Sequence, residues 1–424
     1  MMKKTIFMAA PLGLALSLNA LASDQSSANG FIEDSHLKVL LRNAYINRDY
    51  NNQRQDKAEW GQAVMGQFES GFTQGTVGFG ADAFGFYALR LDGGQGKSGA
   101  GGIDFFKQGD SGEAASDLSR AGGAIKLRAS NTVLKYGDLR PTLPVLNHDD
   151  ARLLPETYTG WMVTSKELKG LEVNAAHLTA EVRKSAEGRD SGGLKNIDLI
   201  GGSYEFSDNF SAALYTSDVE DRLTKHYLGA VYTLPFEDNT SLTLDLNAYK
   251  SRLDKAYSEQ LGTGRDNIIW SLGATFAFGP HAVTLAHQRS SGDTGYNYGR
   301  YQNVGGVGDG GSTIFLANSY WSDFNAEDER SWQVAYSLDF AEYGAPGLSY
   351  RIAYVHGDNI RTNDGDGSER EIFNQIQYVV QSGPAKDLKL KLRGSWLRVS
   401  NNARDYNEDG NEVRAFAEYP INIF

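Results

Sequence analysis

The sequence predicts an all-β fold: a transmembrane antiparallel β-barrel of about 18 strands, with constriction loops folded into the lumen. Three observations lead to this class. Short segments alternate between apolar and polar residues along most of the chain. The connections between these segments are short and long in turn. Beyond the N-terminal segment no run of 18 or more apolar residues occurs, so we expect no membrane-spanning helix.

The N-terminal segment, residues 1–22, is expected to be a secretory signal peptide. Two lysines precede an apolar stretch from Thr5 to Leu18, and Ala20-Leu21-Ala22 fits the small-residue cleavage pattern. The apolar stretch is too short for a comfortable membrane span. We therefore expect the mature chain, residues 23–424, to form one barrel domain.

The composition excludes several classes of protein. There is no cysteine, which removes disulfide and thiolate chemistry from an exported chain. The net charge of −12 argues against a nucleic-acid partner, because nucleic-acid binders carry a basic face. A mean hydropathy of −0.44 is too polar for a helical membrane protein but usual for a barrel with one lipid-facing and one lumen-facing side per strand.

The alternation has a period of two residues, the period of a strand. In the segment 332–340, Trp332, Val334 and Tyr336 share one face, and Gln333 and Ser337 share the other. A soluble β-sandwich would show the same pattern, so alternation alone does not decide between the two folds.

The connections favour the membrane barrel. Short turns, such as Ser130-Asn131 and Gly279-Pro280, alternate with long polar stretches. The long stretches are 51–58, 92–119, 137–160, 186–195, 219–224, 253–266, 291–329, 359–369 and 401–410. Periplasmic turns and extracellular loops differ in this way in outer-membrane barrels. We therefore expect an integral protein of the Gram-negative outer membrane, with lipid, lipopolysaccharide and the barrel assembly machinery as partners.

Basic residues on the polar faces are the candidate substrate path, called here the basic ladder. They are Arg42, Arg90, Lys126, Arg128, Lys389, Lys391, Arg393 and Arg414. Because the first and last strands of a closed ring are neighbours, most of these residues would share one wall. Arginine matches the geometry of a carboxylate, and successive weak sites permit conduction. The alternative is that these residues form structural ion pairs without selectivity.

Two long connections are candidates for the constriction. The first, 137–160, is unusually apolar for a surface loop and carries Arg140, Asp149, Asp150, Arg152 and Tyr158. The second, 291–329, contains glycine-rich 305–311 and then Ser319, Tyr320 and Asp323. The alternatives are a cap over the barrel mouth for the first and a mobile tip with a packed base for the second.

No catalytic constellation is evident. The seven histidines are scattered, and His148-Asp149-Asp150 lacks metal-ligand spacing. The glycine-rich stretches follow no strand–helix pattern, and the acidic stretches 364–369 and 407–412 do not fit the full calcium-loop pattern. We expect no enzyme, no cofactor and no metal.

Several motifs together resemble the OprD-type porins, the outer-membrane carboxylate channels. Gly137-Asp-Leu-Arg-Pro-Thr-Leu-Pro-Val-Leu-Asn147 with Arg152-Leu-Leu-Pro155 resembles the family's third loop. Ser291-Gly-Asp-Thr-Gly-Tyr296 and the stretch 314–325 resemble its seventh loop, although the latter is one residue shorter between Ser319 and Asp323.

This resemblance implies an eighteen-stranded barrel, a monomer or loose homotrimer, narrowed by both loops. It implies a basic ladder at Arg128, Lys391, Arg393 and Arg414 facing a pocket at Ser319 and Asp323. The expected function is a substrate-selective porin for passive diffusion of small carboxylate nutrients, such as amino acids and aromatic acids. The alternatives are a barrel hydrolase and an adhesin-like barrel.

Overall fold

The structure is a computed structural model that describes most of the mature chain. The described residues are 24–51, 54–94, 96–98, 103–109, 112–189, 194–299, 314–407 and 409–424. The expected signal peptide, residues 1–22, and the glycine-rich stretch 305–311 lie outside them.

Eighteen antiparallel strands of the described chain form a single sheet, and a two-stranded hairpin, β6 and β7, lies within one connection. The strands are β1 (His36–Tyr50), β2 (Lys57–Glu69), β3 (Val77–Asp92), β4 (Asp117–Ala129), β5 (Thr132–Leu139), β6 (Thr142–Leu143), β7 (Leu146–Asn147), β8 (Thr157–Ser165), β9 (Leu171–Val182), β10 (Ile197–Ser207), β11 (Phe210–Val219), β12 (Leu223–Pro235), β13 (Thr240–Leu253), β14 (Asp266–Phe278), β15 (His281–Gly292), β16 (Arg330–Asp339), β17 (Leu348–Thr362), β18 (Gly365–Val379), β19 (Lys389–Val399) and β20 (Gly410–Asn422).

The sheet closes on itself because β1 pairs with β20 as well as with β2. The pairing of β1 with β20 runs from Lys38 opposite Asn422 to Tyr50 opposite Gly410. Closure removes the unpaired strand edges that a membrane would not tolerate. The prediction of an eighteen-stranded antiparallel barrel is confirmed.

The helices are short. The one α-helix of the described chain, α1 (Lys255–Leu261), begins after Asp254, whose carboxylate accepts a 2.9 Å hydrogen bond from the Ala256 amide. It ends at Gly262, whose φ of +67° is in the left-handed region that favours glycine. None of the described helices has the length and apolar character needed to cross a membrane.

The predicted alternation of short and long connections holds for most of the barrel, with two corrections. The predicted long loop 359–369 is wrong, because β17 reaches Thr362 and β18 begins at Gly365. The stretch 219–224 shrinks to residues 220–222 between β11 and β12. In both places the strands continue further than predicted, and one face of each hairpin stays buried, as Leu223 and Ile360 show.

Large apolar side chains on the outer face are exposed, as a lipid-facing surface requires. They include Trp60, Trp161, Trp332 and Trp396, which contribute to the aromatic girdle typical of membrane barrels. The buried core lies inside the barrel, between the wall and the long loops. One cluster packs wall residues such as Ile46, Met65 and Phe86 against loop residues such as Phe106 and Leu153.

Candidate functional site

The connection between β5 and β8, residues 140–156, lies inside the barrel and is called here the constriction loop. Its apolar residues are almost completely buried, at 6% exposure or less: Leu143, Val145, Leu146, Leu153 and Leu154. Burial of this apolar surface favours the inward position, since a loop over the mouth would leave it in water.

The constriction loop bonds to nearly opposite sides of the barrel. Arg42 on β1 donates a 3.0 Å hydrogen bond to the carbonyl oxygen of Arg152. Tyr249 on β13 donates a 3.1 Å hydrogen bond to the carbonyl oxygen of Pro144. Counted through β14 to β20, β13 lies eight strands from β1 in the eighteen-stranded ring. The loop therefore crosses the lumen and divides it.

A second inner segment, residues 314–325, follows the wall and is called here the wall strap. Its hydrogen-bond partners on the wall include, in order, Ser271 on β14, Gln288 on β15, Ser331 on β16 and Glu371 on β18. The Trp321 ring then lies 5.3 Å from the Arg48 guanidinium of β1. At its start, the Phe315 amide donates to the Tyr249 hydroxyl at 3.1 Å, so the strap and the constriction loop meet at Tyr249.

Strand register places five ladder residues on one wall formed by β19, β20 and β1. Three successive rows across this wall are Lys389–Glu418–Arg42, Lys391–Phe416–Ala44 and Arg393–Arg414–Ile46. Rows two residues apart along a strand are separated by about 7 Å. Arg90 on β3 continues the row of Lys391, through Gly61 and Ala44.

The other two predicted ladder residues, Lys126 and Arg128, lie apart from that wall on β4. Lys126 donates to the carbonyl oxygen of Ser70 at 2.7 Å, and Arg128 donates to the side chain of Gln25 at 2.9 Å. Both therefore hold the N-terminal segment and the turn after β2 near the periplasmic end of the barrel.

Most cations of the ladder wall are bonded to carboxylates. Arg42 lies 2.7 Å from Asp150 and 2.8 Å from Glu418. Arg414 donates through Nε and Nη2 to Glu412, which also lies 2.7 Å from Arg48. These guanidinium charges are largely compensated inside the protein.

Lys391 and Arg393 differ from these residues. Neither forms a salt bridge with any residue that the structure describes. The Lys391 ammonium lies 4.8 Å from the centre of the Phe416 ring, and the Arg393 guanidinium lies 4.9 Å from the centre of the Phe373 ring. Nε of Arg393 is buried without a hydrogen-bond partner within that same part of the chain. The wall thus presents two cations with unused donors.

The predicted residues of the constriction loop have distinct roles. Arg140 donates a 2.6 Å hydrogen bond to Gln67, whereas Asp150, 45% exposed, bonds to Arg42. Burial alone would raise the pKa of Asp149, but the Lys184 ammonium at 2.6 Å and the Arg152 guanidinium hold that pKa well below its usual range. Asp149 and Arg152 are therefore buried anchors of the loop.

Tyr158 lies on β8 and not on the loop. Its side chain is fully buried, and its hydroxyl donates to Glu181 at 3.1 Å. It thus supports the base of the constriction loop from the wall.

On the wall strap, Asp323 accepts hydrogen bonds from the hydroxyls of Ser319 and Tyr298. The Tyr320 ring stacks on Phe373 at 4.4 Å, and its hydroxyl accepts a 3.0 Å hydrogen bond from Arg351 of β17. The strap therefore brings acceptor oxygens and aromatic rings to the wall beside the ladder.

Sequence reasoning missed Arg351, Phe373 and Phe416 as residues of the site. Arg351 shares the inward face of β17 with buried Ala353 and Val355, so alternation contained the signal for it. The same alternation applies to the two phenylalanines, since Phe373 shares its face of β18 with Glu371 and Phe416 shares its face of β20 with Arg414. No group of three potential metal ligands occurs among the residues described.

Comparisons with known proteins agree on one family. A family model described as "outer membrane porin, OprD family" matches residues 29–423. Porin D of Pseudomonas aeruginosa is 41% identical over 431 residues, covering 96% of this chain and 95% of Porin D.

Two solved structures share the fold. OccAB1 of Acinetobacter baumannii is 35% identical with a TM-score of 0.88, covering 94% of this chain and 99% of that one. OpdK of Pseudomonas aeruginosa, solved with vanillate, is 32% identical with a TM-score of 0.79, covering 93% of this chain and 100% of that one. These matches and the closed barrel show that the chain belongs to the OprD family of outer-membrane porins, integral proteins of the Gram-negative outer membrane.

Proposed function

We propose that this porin is selective for small carboxylate-bearing solutes, such as amino acids and aromatic or other organic acids, which cross it by passive diffusion. The observation that carries the proposal concerns the bonding partners of Lys391 and Arg393. Both lie on the lumen wall, and neither has a carboxylate partner among the described residues. A solute carboxylate can supply the missing partner.

The spacing of the two cations suits transfer from one to the next. Lys391 and Arg393 are two residues apart on β19, a step of about 7 Å. A carboxylate bound by the Arg393 fork reaches the Lys391 ammonium without returning to bulk water. Several sites of moderate strength allow entry and exit, whereas one strong site would retain the solute.

Asp323, with the Ser319 and Tyr298 hydroxyls bonded to it, offers acceptor oxygens on the strap. A solute that carries a donor group besides its carboxylate would be oriented between the strap and the ladder. The vanillate in the OpdK structure is itself an aromatic carboxylate, which supports carboxylates as the substrate class.

Liposome uptake tests the proposal with a matched pair of solutes, benzoate and uncharged benzamide. We expect wild-type porin to admit benzoate faster than benzamide, and Lys391→Gln/Arg393→Gln to lose the difference. Arg252→Gln is the charge control, because Arg252 on β13 is 60% exposed. Equal uptake of both solutes by the wild type would refute carboxylate selectivity.

A further inference from the structure

The cations of the ladder wall are held in two different ways. Arg42 and Arg414 are held by carboxylates, with Arg42 2.7 Å from Asp150 and Arg414 3.1 Å from Glu412. Lys391 and Arg393 are held against phenylalanine rings. The carboxylates compensate the charge of the cations they hold, whereas the phenylalanine rings do not.

A carboxylate fixes a cation but also compensates its charge and occupies its donors. The face of an aromatic ring attracts a cation through its quadrupole and accepts no strong hydrogen bond. A guanidinium resting on a ring is therefore positioned while its N–H groups stay available to a solute. A side chain of this length without any support would sample many rotamers and would lose more entropy on binding.

Both rings are themselves held firmly. Phe373 is 3% exposed and Phe416 is 7% exposed. Phe416 lies directly opposite Lys391 in the pairing of β19 with β20. Phe373 lies on β18, diagonal to Arg393, and the Tyr320 ring stacks on it at 4.4 Å with an interplanar angle of 28°.

Tyr320 connects this support to the wall strap. Its hydroxyl donates to Gln333 and accepts a 3.0 Å hydrogen bond from Arg351. The position of the strap thus fixes Tyr320, which fixes Phe373, on which Arg393 rests.

From these contacts we infer that Phe373 and Phe416 are positioning residues for substrate selection: they hold Arg393 and Lys391 in place without compensating their charge. The inference rests on the proposed carboxylate selectivity and adds its structural cause. It predicts that removing either ring weakens carboxylate binding although every ladder charge remains.

Planar-bilayer recordings of the purified porin test the inference with Phe373→Leu and Phe416→Leu. The readouts are the reversal potential in a potassium chloride gradient and the dissociation constant of benzoate as a current blocker. We expect each leucine variant to shift the reversal potential toward cation preference and to raise the benzoate constant roughly two- to fivefold. Tyrosine at either position retains the ring face and should restore both values.

Phe276→Leu is the matched control, because Phe276 is 43% exposed on the lipid-facing side of β14 and stacks on Phe278 at 5.6 Å. It should leave both readouts unchanged. Leucine variants with wild-type selectivity would overturn the inference. If Lys391→Gln/Arg393→Gln abolishes benzoate block in the same recordings, only the aromatic support is refuted; if that variant also behaves as wild type, the proposed function fails too. A heat-modifiability gel identifies folded barrels before recording.

Discussion

Arg393 on β19 lies directly opposite Arg414 on β20, and of the two only Arg414 is bonded to a carboxylate. Like charges in opposite positions on neighbouring strands destabilise a sheet. Glu412 offsets that cost by bonding to Arg414 and to Arg48. The pairing leaves one guanidinium bonded to a carboxylate and the other without a carboxylate partner among the described residues.

Replacing Glu412 by glutamine should strongly destabilise the barrel. The carboxylate is buried between Arg48 and Arg414, and the substitution removes the negative charge that bonds to both buried cations. Breaking such a buried pair costs on the order of 3–5 kcal/mol. Urea unfolding of purified barrels in detergent measures the change.

The control for this variant is Glu113→Gln, which breaks the peripheral pair of Glu113 with Arg90 at 3.4 Å. An exposed pair contributes about 1 kcal/mol or less. Equal losses from both substitutions would show that Glu412 is not the compensating group.

Replacing Gly61 by valine should displace the constriction loop. A β-carbon at Gly61 would lie 2.4 Å from Cδ2 of Leu153 and 3.2 Å from the Phe106 ring. We expect an altered single-channel conductance and a stability loss of about 1–3 kcal/mol from overpacking. Gly85→Val is the control, since among the described residues no heavy atom beyond its chain neighbours lies within 4 Å of a β-carbon at Gly85. An unchanged conductance in Gly61→Val would contradict the close contact between the wall and the loop.

Tyr249→Phe should loosen both inner segments together. The variant removes the bond to Pro144 of the constriction loop and the bond from Phe315 of the wall strap. We expect greater open-channel current noise and a cost of roughly 1–3 kcal/mol for the unpaired groups. Tyr227→Phe loses a hydroxyl bonded to Asn247 of the wall and should leave the noise unchanged. The same current noise in both variants would show that the Tyr249 hydroxyl does not anchor the two inner segments.

Glu329 should make stability depend on pH. Burial, reinforced by the neighbouring Glu369 carboxyl, raises the pKa of Glu329 well above its usual value of 4.5. The folded state therefore keeps a proton that the unfolded state releases above that value. The resulting stabilisation is present below pH 4.5 and is lost as the pH rises through the folded-state pKa.

Glu329→Gln mimics the protonated form and should flatten this dependence. Melting temperatures at pH 5 and pH 8.5 would measure it, with exposed Glu342→Gln as the control. Equal changes in melting temperature between these two pH values in the wild type and in Glu329→Gln would refute the assignment to Glu329.

Much of the fold followed from local pattern. Alternation placed Arg42, Lys391 and Arg393 on the polar faces of their strands because the side-chain period of a strand is fixed. The apolar content of 137–160 predicted that its leucines are buried, as Leu153 is. The tight turn at Thr362–Gly365 was missed because polar residues beyond the lipid resemble a loop in sequence.

The site was less predictable, because its state depends on partners distant in sequence. Closure of the barrel creates the bond of Arg42 to Glu418. The folding of the N-terminal segment creates the bond of Arg128 to Gln25. Glu412, two residues before Arg414 on the same face of β20, is a local signal for the compensated Arg414, whereas no acidic residue lies two positions from Arg393 on β19. Strand register and the position of Glu412 decide between them.

Single-channel recording of benzoate block in the wild type and in Arg393→Gln tests the central claim most directly. The open guanidinium predicts brief, resolvable interruptions by benzoate in the wild type. The dissociation constant should increase about tenfold or more in the variant, as expected for the loss of a charge-assisted hydrogen bond. An unchanged dissociation constant in Arg393→Gln would contradict the claim that this residue binds the carboxylate.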